Sequence, residues 1–156
     1  MLLPIHIDNL EFIQGDAISL SGIETESIPV LSCLHALEHF GLGRYGDPLD
    51  YDGWNKALCS FKRVISTGGL LYLSVPVGIC ETVMFNAHRI FDPITIVNKL
   101  IPEFKLLEFT LLHCGTKSTY IFSHNKSLEK IEKIFSDIKT KSMGTFDCGI
   151  YIFQKL

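Results

Sequence analysis

Apolar positions along the chain occur in blocks that predict strands of a sheet with helices between them. Two nearly continuous apolar runs, residues 28–37 and 70–77, have the length of strands that are buried on both faces. Apolar residues at helical spacing predict helices at 53–65 and 127–139, and Asp92-Pro93 predicts another that reaches Leu100. Shorter β-type runs predict the other strands, at 10–13, 104–113, 120–123 and 146–154. This alternating order predicts an α/β sheet with helical layers.

A dense group of ionisable residues and glycines, residues 32–50, begins where the first long apolar run ends. Charged groups are costly to bury unless they are paired or used, so this group predicts the rim of a binding site. Ligands of α/β sheets bind beyond the carboxyl ends of the strands, and Gly15-Asp16 and residues 76–89 fit that rule as well. The polar candidates after the two long apolar runs are His35, Glu38, His39, Arg44, Asp47, Asp50, Asn86, His88 and Arg89.

Glu38 and His39 are the candidates for acid–base chemistry, because a carboxylate beside an imidazole can exchange protons near neutral pH. The alternative is structural, with one of the two capping a helix or pairing with Arg44. His35, Glu38 and His39 also match the zinc-hydrolase pattern H-x-x-E-H, which requires both histidines on one face of a stable helix. The strand before this pattern and Gly41 after it leave little room for such a helix, so a metal-dependent hydrolase is the weaker alternative.

The composition bounds the class of protein. The length of 156 residues suits a single domain, and the net charge of −3 without any Lys/Arg run argues against nucleic acid or a membrane surface as a partner. The run at 70–77 is far shorter than the roughly 20 residues of a membrane-spanning helix, and the first residues lack the parts of a signal peptide. Five cysteines occur singly, mostly in apolar segments, which predicts reduced core thiols and a cytoplasmic location.

Three segments resemble the class I S-adenosylmethionine-dependent methyltransferases. LEFIQGDAISL resembles the third strand of that fold, IPVLSCLHALEHF resembles the fourth, and FKRVISTGGLLYLSVP resembles the next helix, turn and fifth strand. EHFGLGRYGDPLD together with FNAHRIF resembles DUF268, a methyltransferase-like family of unknown function that we expect to be bacterial. The resemblance implies a truncated Rossmann-like fold over residues 1–156, whose sheet is mostly parallel and has an antiparallel C-terminal strand.

The same resemblance implies roles for the matched positions. It places the cofactor, S-adenosylmethionine, against Asp16, Ala17, Leu34 and His35. It also implies a small-molecule substrate, such as a sugar of a cell-surface polysaccharide. The catalytic candidates that would face this substrate are Glu38 and His39, and the binding candidates are Arg44, Asp47, Asp50, Asn86, His88 and Arg89.

The chain departs from that fold at its N-terminal side. Only nine residues precede the predicted strand at 10–13, so the first two strands and the glycine-rich loop of the family are missing from it. That loss removes several charge-assisted hydrogen bonds of about 1.5–3 kcal/mol each, against roughly 8 kcal/mol for a micromolar site. A non-catalytic remnant that binds a sugar or another protein is therefore an alternative. The strand at 28–37 also loses a neighbour, which predicts a homodimer or a rearranged sheet in which 10–13 pairs with it.

Overall fold

A computed structural model describes residues 8–43, 46–122, 127–141 and 143–156. A single 3-10 turn, Leu37–His39, follows the first strand. The strands and α-helices are, in chain order, β1 (Ile28–Leu34), α1 (Gly53–Val64), β2 (Ile65–Val77), β3 (Thr82–Val83), β4 (Arg89–Ile90), α2 (Pro93–Leu100), β5 (Phe104–His113), β6 (Thr116–Ile121), α3 (Leu128–Lys141) and β7 (Asp147–Lys155).

Five of these strands form one sheet in the order β1-β2-β7-β5-β6, and β3 and β4 form a separate hairpin. The α/β fold and the antiparallel C-terminal strand are confirmed, since β7 runs against both of its neighbours. The pairing is less parallel than predicted. Because β7 lies between β2 and β5, β1–β2 is the only parallel pair among the described strands of this sheet, although β1, β2 and β5 all point the same way.

All three α-helices pack on the same face of this sheet. Leu73, Tyr151 and Phe109 lie in register across β2, β7 and β5, and their side chains are completely buried. Phe109 packs on Phe135 of α3 with ring centroids 4.8 Å apart, and the Tyr151 hydroxyl donates to the Pro93 carbonyl at the start of α2. The residues that α1 adds to this core are Ala57, Leu58, Phe61 and Val64.

The opposite face of the sheet is only partly covered in the described part of the chain. Leu34, Ser74 and Ile150 lie in register on that face, and Leu34 is 60% exposed. The prediction of a strand buried on both faces at residues 28–37 is therefore wrong. The strand there, β1, ends at Leu34 and lies at the edge of the described sheet. An apolar run shows that burial is favourable, but it does not show whether another element is there to provide it.

The helix predictions hold to within two residues at each end, and the cap of α2 holds in detail. Asp92 Oδ1 accepts a hydrogen bond from the backbone N–H of Ile94 at 3.2 Å, with Pro93 in the first helical turn. Residues 10–13, by contrast, add no strand to the sheet, so they do not supply a neighbour for β1. Pairing of β1 with a second chain stays a prediction.

The thiols are less buried than predicted. All five cysteines are free, but only Cys33 is buried, while Cys59, Cys80 and Cys114 are exposed. Cys59 lies on the outer side of the amphipathic helix α1, where an apolar neighbourhood in sequence does not mean burial. Within the described ranges, no helix is both long and apolar enough to cross a membrane.

Candidate functional site

The candidate residues gather where β1 and β2 end and β7 begins. His35 directly follows β1, and its backbone N–H donates to the Ser74 carbonyl of β2 at 2.9 Å. His35 has φ of +49°, a left-handed conformation that is uncommon for a residue with a side chain. This turn directs the chain out of the sheet and into the 3-10 turn at Leu37–His39, so that Glu38 and His39 lie at the carboxyl edge.

Glu38 is a buried carboxylate between two histidines. Its side chain is 3% exposed, and its Oε1 lies 3.3 Å from Nδ1 of His35 and 3.8 Å from Nε2 of His39. Its other oxygen, Oε2, is buried and has no hydrogen-bond partner among the described residues. A carboxylate in this position orients His35 through a hydrogen bond.

A cavity of about 740 Å³ lies beside these histidines. Its volume is in the range of small-molecule sites, and its wall mixes apolar side chains with carboxylates and imidazoles but has no Lys or Arg among the described residues. The lining residues are Gln14, Gly15, Asp16, Ala17, Ile18, His35, Ala36, His39, Phe40, Gly46, Asp47 and Pro48.

Asp16 reaches this cavity from a segment that is held by α1. Its carboxylate accepts hydrogen bonds from the backbone N–H groups of Ile18 at 2.9 Å and Ser19 at 3.3 Å, and the bond from Ile18 lowers the pKa of Asp16. Arg63 of α1 fixes the following residues by donating to the carbonyls of Leu20 and Ile23 at 2.8 and 2.7 Å. The carboxylate of Asp16 is therefore ionised at neutral pH and lies on an anchored segment.

The loop between the 3-10 turn and α1 forms the other wall. Asp47 Oδ2 accepts from the backbone N–H groups of Gly41 at 2.9 Å and Gly43 at 3.3 Å. Gly41 has φ of +75°, and a Cβ there would lie 1.9 Å from the carbonyl oxygen of Asp50, so this position requires glycine. Asp50 itself pairs with Lys56 at 2.6 Å, and this contact lowers the pKa of Asp50.

Arg89 has a different position from the one the sequence suggests. It is 4% exposed, and its guanidinium donates to the carbonyls of Phe40 at 2.6 Å and Tyr51 at 3.1 Å. Burial lowers the pKa of Arg89. Its donors thus fasten both ends of the loop that carries Asp47, and they point to backbone rather than to the cavity.

The β3–β4 hairpin brings the second polar cluster to the same edge. Asn86 is exposed at the tip of the hairpin with φ of +52°. The Ala87 carbonyl lies 3.0 Å from Nδ1 of His39, and the rings of His39 and His88 meet edge to face with centroids 6.1 Å apart. The contact of Nδ1 with a carbonyl fixes the proton on that nitrogen, which leaves the lone pair of a neutral His39 on Nε2.

The structure thus brings part of the predicted set together. The predicted residues that line one cavity are Asp16, Ala17, His35, His39 and Asp47. Glu38 lies behind the two histidines, while Leu34 is exposed on the open face of the sheet and Asp50 is held in the ion pair with Lys56. Arg44 lies outside the described residues.

The geometry does not support the zinc-hydrolase alternative. His35, Glu38 and His39 do not share a helix, since His35 follows a strand and only a single 3-10 turn carries the other two. A ring nitrogen of each histidine faces the same oxygen of Glu38, and the two histidines do not face a shared position for a metal ion. Across the described ranges, no group of three His, Cys, Asp or Glu side chains is arranged to hold a metal ion.

Cys148 contacts one of the candidate residues, and the sequence analysis does not include it among them. Its Sγ lies 3.3 Å from Nε2 of His35, although 113 residues separate the two in the chain. The contact arises because β7 is antiparallel, which puts its first residues at the carboxyl edge of β1 and β2. The sequence signal that could have found this contact is the predicted antiparallel C-terminal strand. Such a strand begins at the edge of the sheet where the strands beside it end.

The comparison with family models gives one match. A model described as "Caenorhabditis protein of unknown function, DUF268" matches residues 23–140. The matched range covers most of the chain and includes Glu38, His39 and the hairpin around Asn86. The description names Caenorhabditis, so the bacterial origin expected from the resemblance is not shown. No curated protein matches the sequence.

Solved structures of the methyltransferase fold are similar to this chain. A SAM-dependent methyltransferase from Archaeoglobus fulgidus is 17% identical with a TM-score of 0.53, and the alignment covers 92% of this chain and 66% of that one. The [4+2]-cyclase SpnF is 14% identical with a TM-score of 0.54, covering 93% and 56%. A candidate methyltransferase from Bacillus halodurans C-125 is 19% identical with a TM-score of 0.53, covering 94% and 76%. These likenesses show the class I methyltransferase fold, and the chain spans less than two thirds of the first two structures.

Proposed function

Since this chain belongs to the DUF268 family and has the class I methyltransferase fold, we propose that it binds S-adenosylmethionine and transfers a methyl group. One observation carries the proposal. A single cavity joins the residues expected on the cofactor side, Asp16, Ala17 and His35, to those expected on the substrate side, His39 and Asp47. The fold by itself does not decide the reaction, because a cyclase has it as well.

The charge of the cavity suits a cationic cofactor. Asp16 and Asp47 line it, and hydrogen bonding keeps the pKa of Asp16 low, so the wall is negative at neutral pH. The sulfonium cofactor would supply an electrophilic methyl group. Asp16 would accept from the exocyclic amine of its adenine, with Ala17 and His35 alongside.

The proposed base is His39. Its Nδ1 contacts the Ala87 carbonyl at 3.0 Å, so its Nε2 is the nitrogen that would accept the proton of an attacking hydroxyl or amine. Glu38 lies 3.8 Å from that nitrogen and would stabilise the imidazolium. Because Glu38 is buried and does not line the cavity, we assign it the orientation of the histidines and not contact with the substrate.

We propose a small polyhydroxylated acceptor, in particular a sugar used in cell-surface polysaccharide synthesis. Support comes from the polar groups near His39, since Asp47 lines the cavity and His88 contacts the His39 ring. Asn86, at the exposed tip of the hairpin, would bind a more distant part of the acceptor. Methyl transfer to a panel of monosaccharides and nucleotide sugars, followed by release of S-adenosylhomocysteine, tests this substrate class. His39→Gln should lower the rate by about a hundredfold or more.

Calorimetry with S-adenosylhomocysteine tests the cofactor site directly. We expect a Kd below about 100 μM, and Asp16→Asn should weaken binding by about tenfold, which corresponds to about 1.4 kcal/mol. Asp137→Asn is the matched control, because Asp137 is an exposed aspartate on α3 away from this cavity. A chain that binds no S-adenosylhomocysteine at millimolar concentration would refute the enzyme proposal.

A non-catalytic binding module is the second candidate. The exposed edge of β1 in the described sheet favours it, because this edge is open to a partner. Such a module would bind a sugar or a protein partner without binding S-adenosylhomocysteine. The same calorimeter, used with both ligands, separates the two candidates.

We further propose that a second copy of the chain pairs with β1, and that the protein is cytoplasmic. The exposed edge supports the first point, since Val30 is 55% exposed on a strand with a single neighbour in the described sheet. Five free thiols support the second. Sedimentation should show a dimer that Val30→Lys dissociates, whereas Val83→Lys, on the exposed hairpin, should leave it intact. A wild-type monomer would refute the pairing.

A further inference from the structure

The contact between Cys148 and His35 continues into a chain of three side chains. Cys148 Sγ lies 3.3 Å from Nε2 of His35, and Nδ1 of His35 lies 3.3 Å from Oε1 of Glu38. The order is thus thiol, imidazole, carboxylate, which is the order of a nucleophile, its base and the group that orients the base. We call this set the Cys148 relay.

The burial of Glu38 fixes the direction of the proton in the relay. Glu38 is 2% exposed and, when ionised, can only accept hydrogen bonds, so Nδ1 of His35 must donate to it. The lone pair of a neutral His35 then lies on Nε2 and faces the thiol of Cys148. The left-handed turn at His35 and the bond from its N–H to Ser74 hold the imidazole in this place.

We propose that Cys148, His35 and Glu38 form a nucleophilic thiol site, and that its co-reactant is a small-molecule disulfide. Cys148 Sγ attacks one sulfur of the disulfide, so that a new S–S bond forms as the old one breaks. The thiol proton passes to Nε2 of His35 and from there to the departing thiolate. The products are a mixed disulfide on Cys148 and one free thiol, and no further oxidant is needed.

Acyl transfer, the other common use of such a set, is not favoured by the surroundings. It requires backbone or side-chain donors aimed at a developing oxyanion. Cys148 and Gly149 lie in the ladder of β7 between β2 and β5, so their backbone N–H groups face a neighbouring strand and not an open site. Disulfide exchange requires only an accessible, deprotonated sulfur. Cys148 is partly exposed, and the side chain of His35 beside it is 52% exposed, so small molecules can reach the relay.

The electrostatics require a base for this chemistry. Burial, with the Glu38 charge added to it, raises the pKa of the Cys148 thiol, so the resting sulfur is protonated and depends on His35. The other ionisable groups near the thiol are Tyr151, whose pKa burial raises, and the His113–Asp147 pair at the start of β7. Neither supplies a base to Sγ, because Cys148 and its register partner Leu112 lie on one face of the sheet, while side chains alternate so that Asp147, Tyr151 and His113 lie on the other.

Mixed-disulfide formation with oxidised glutathione, read by peptide mass spectrometry on the native protein, tests the proposal. At pH 7 we expect Cys148 to react about ten times faster or more than the exposed thiols Cys59, Cys80 and Cys114, which serve as internal controls. The rate at Cys148 should level off above the range in which imidazoles titrate. A thiol without a base gains about tenfold in rate per pH unit below its own pKa.

Variants separate the base from mere accessibility. His35→Asn should remove the advantage of Cys148 at pH 7 and its plateau in the pH profile, and asparagine tolerates the left-handed backbone at that position. Glu38→Gln should lower the rate and retain the exposure of Cys148. His113→Asn, which removes a histidine from a different ion pair, is the matched control. Equal rates at Cys148 and the three exposed thiols, or an unchanged pH profile in both relay variants, would overturn the proposal.

Discussion

Arg89→Met should destabilise the protein more than its place in a short surface hairpin suggests. Arg89 is 4% exposed and donates to the carbonyls of Phe40 and Tyr51 at 2.6 and 3.1 Å. Methionine fills a similar volume but leaves both carbonyls without this donor. It also removes the anchor that joins the two ends of the loop carrying Asp47.

The magnitude follows from the two hydrogen bonds. Bonds from a charged donor contribute about 1.5–3 kcal/mol each, and part of that is returned because a buried guanidinium no longer has to be desolvated. We expect a net loss of about 2–4 kcal/mol in the free energy of unfolding. With a urea m-value of about 2 kcal/mol/M, the unfolding midpoint should fall by about 1–2 M.

A surface ion pair provides the control. Lys62→Gln breaks the contact of Lys62 with Glu103 at 2.8 Å and should change the midpoint by less than about 0.5 M. Chymotrypsin gives a local measurement, because Leu49 and Tyr51 are 84% and 82% exposed in the anchored loop. Cleavage there should be faster in Arg89→Met than in wild type. A midpoint shift no larger than that of Lys62→Gln, with unchanged cleavage, would refute the role of Arg89 as the loop anchor.

Three further outcomes follow from single contacts. Gly41→Ala should lower the free energy of unfolding by more than about 2 kcal/mol, because a Cβ would lie 1.9 Å from a carbonyl oxygen. Gly68→Ala, with φ of +79° and nothing near the Cβ, should lower it only by the left-handed penalty of about 1–2 kcal/mol. Urea unfolding of both variants compares the two losses. Asp50→Asn should lower the free energy of unfolding at pH values above the ordinary aspartate pKa of about 3.9. The difference from wild type should vanish as the pH falls through the lowered pKa of Asp50. Urea unfolding that gives the same difference at neutral pH and below that pKa would contradict the pairing with Lys56. Cys33, whose pKa is raised to about 11 by burial, should stay unmodified by iodoacetamide until urea unfolds the chain, and early labelling would show that its site opens locally.

Helices and central strands were predictable because their signals are local. The cap and proline at Asp92-Pro93 place the start of α2, and the spacing of apolar residues places α1 and α3. The edge was not predictable in the same way. Residues 28–37 are apolar on both sides, yet β1 has a single neighbour and an open face, because burial depends on what the rest of the chain provides.

The candidate site divides along the same line. That Glu38, His39 and Asp47 gather beyond the end of a strand could be predicted, because charged side chains are costly to bury without partners. Their roles stay predictions. Asp50 belongs to the same sequence cluster and Arg89 to the second one, but both have structural partners, since Asp50 pairs with Lys56 and Arg89 donates to two backbone carbonyls. Residue type indicates that a charge must find a partner, and only geometry decides whether that partner is a ligand or the protein.

The sequence by itself determined the class of the fold, the places of its three α-helices and the edge of the sheet at which the polar residues gather, because these follow from hydrophobic periodicity and from where strands end. Tertiary structure alone decided which of those residues line one cavity and which are structural. It also decided that Cys148 meets His35. Contacts between strands distant in the chain depend on the position and direction of β7, and no local pattern in the sequence encodes them.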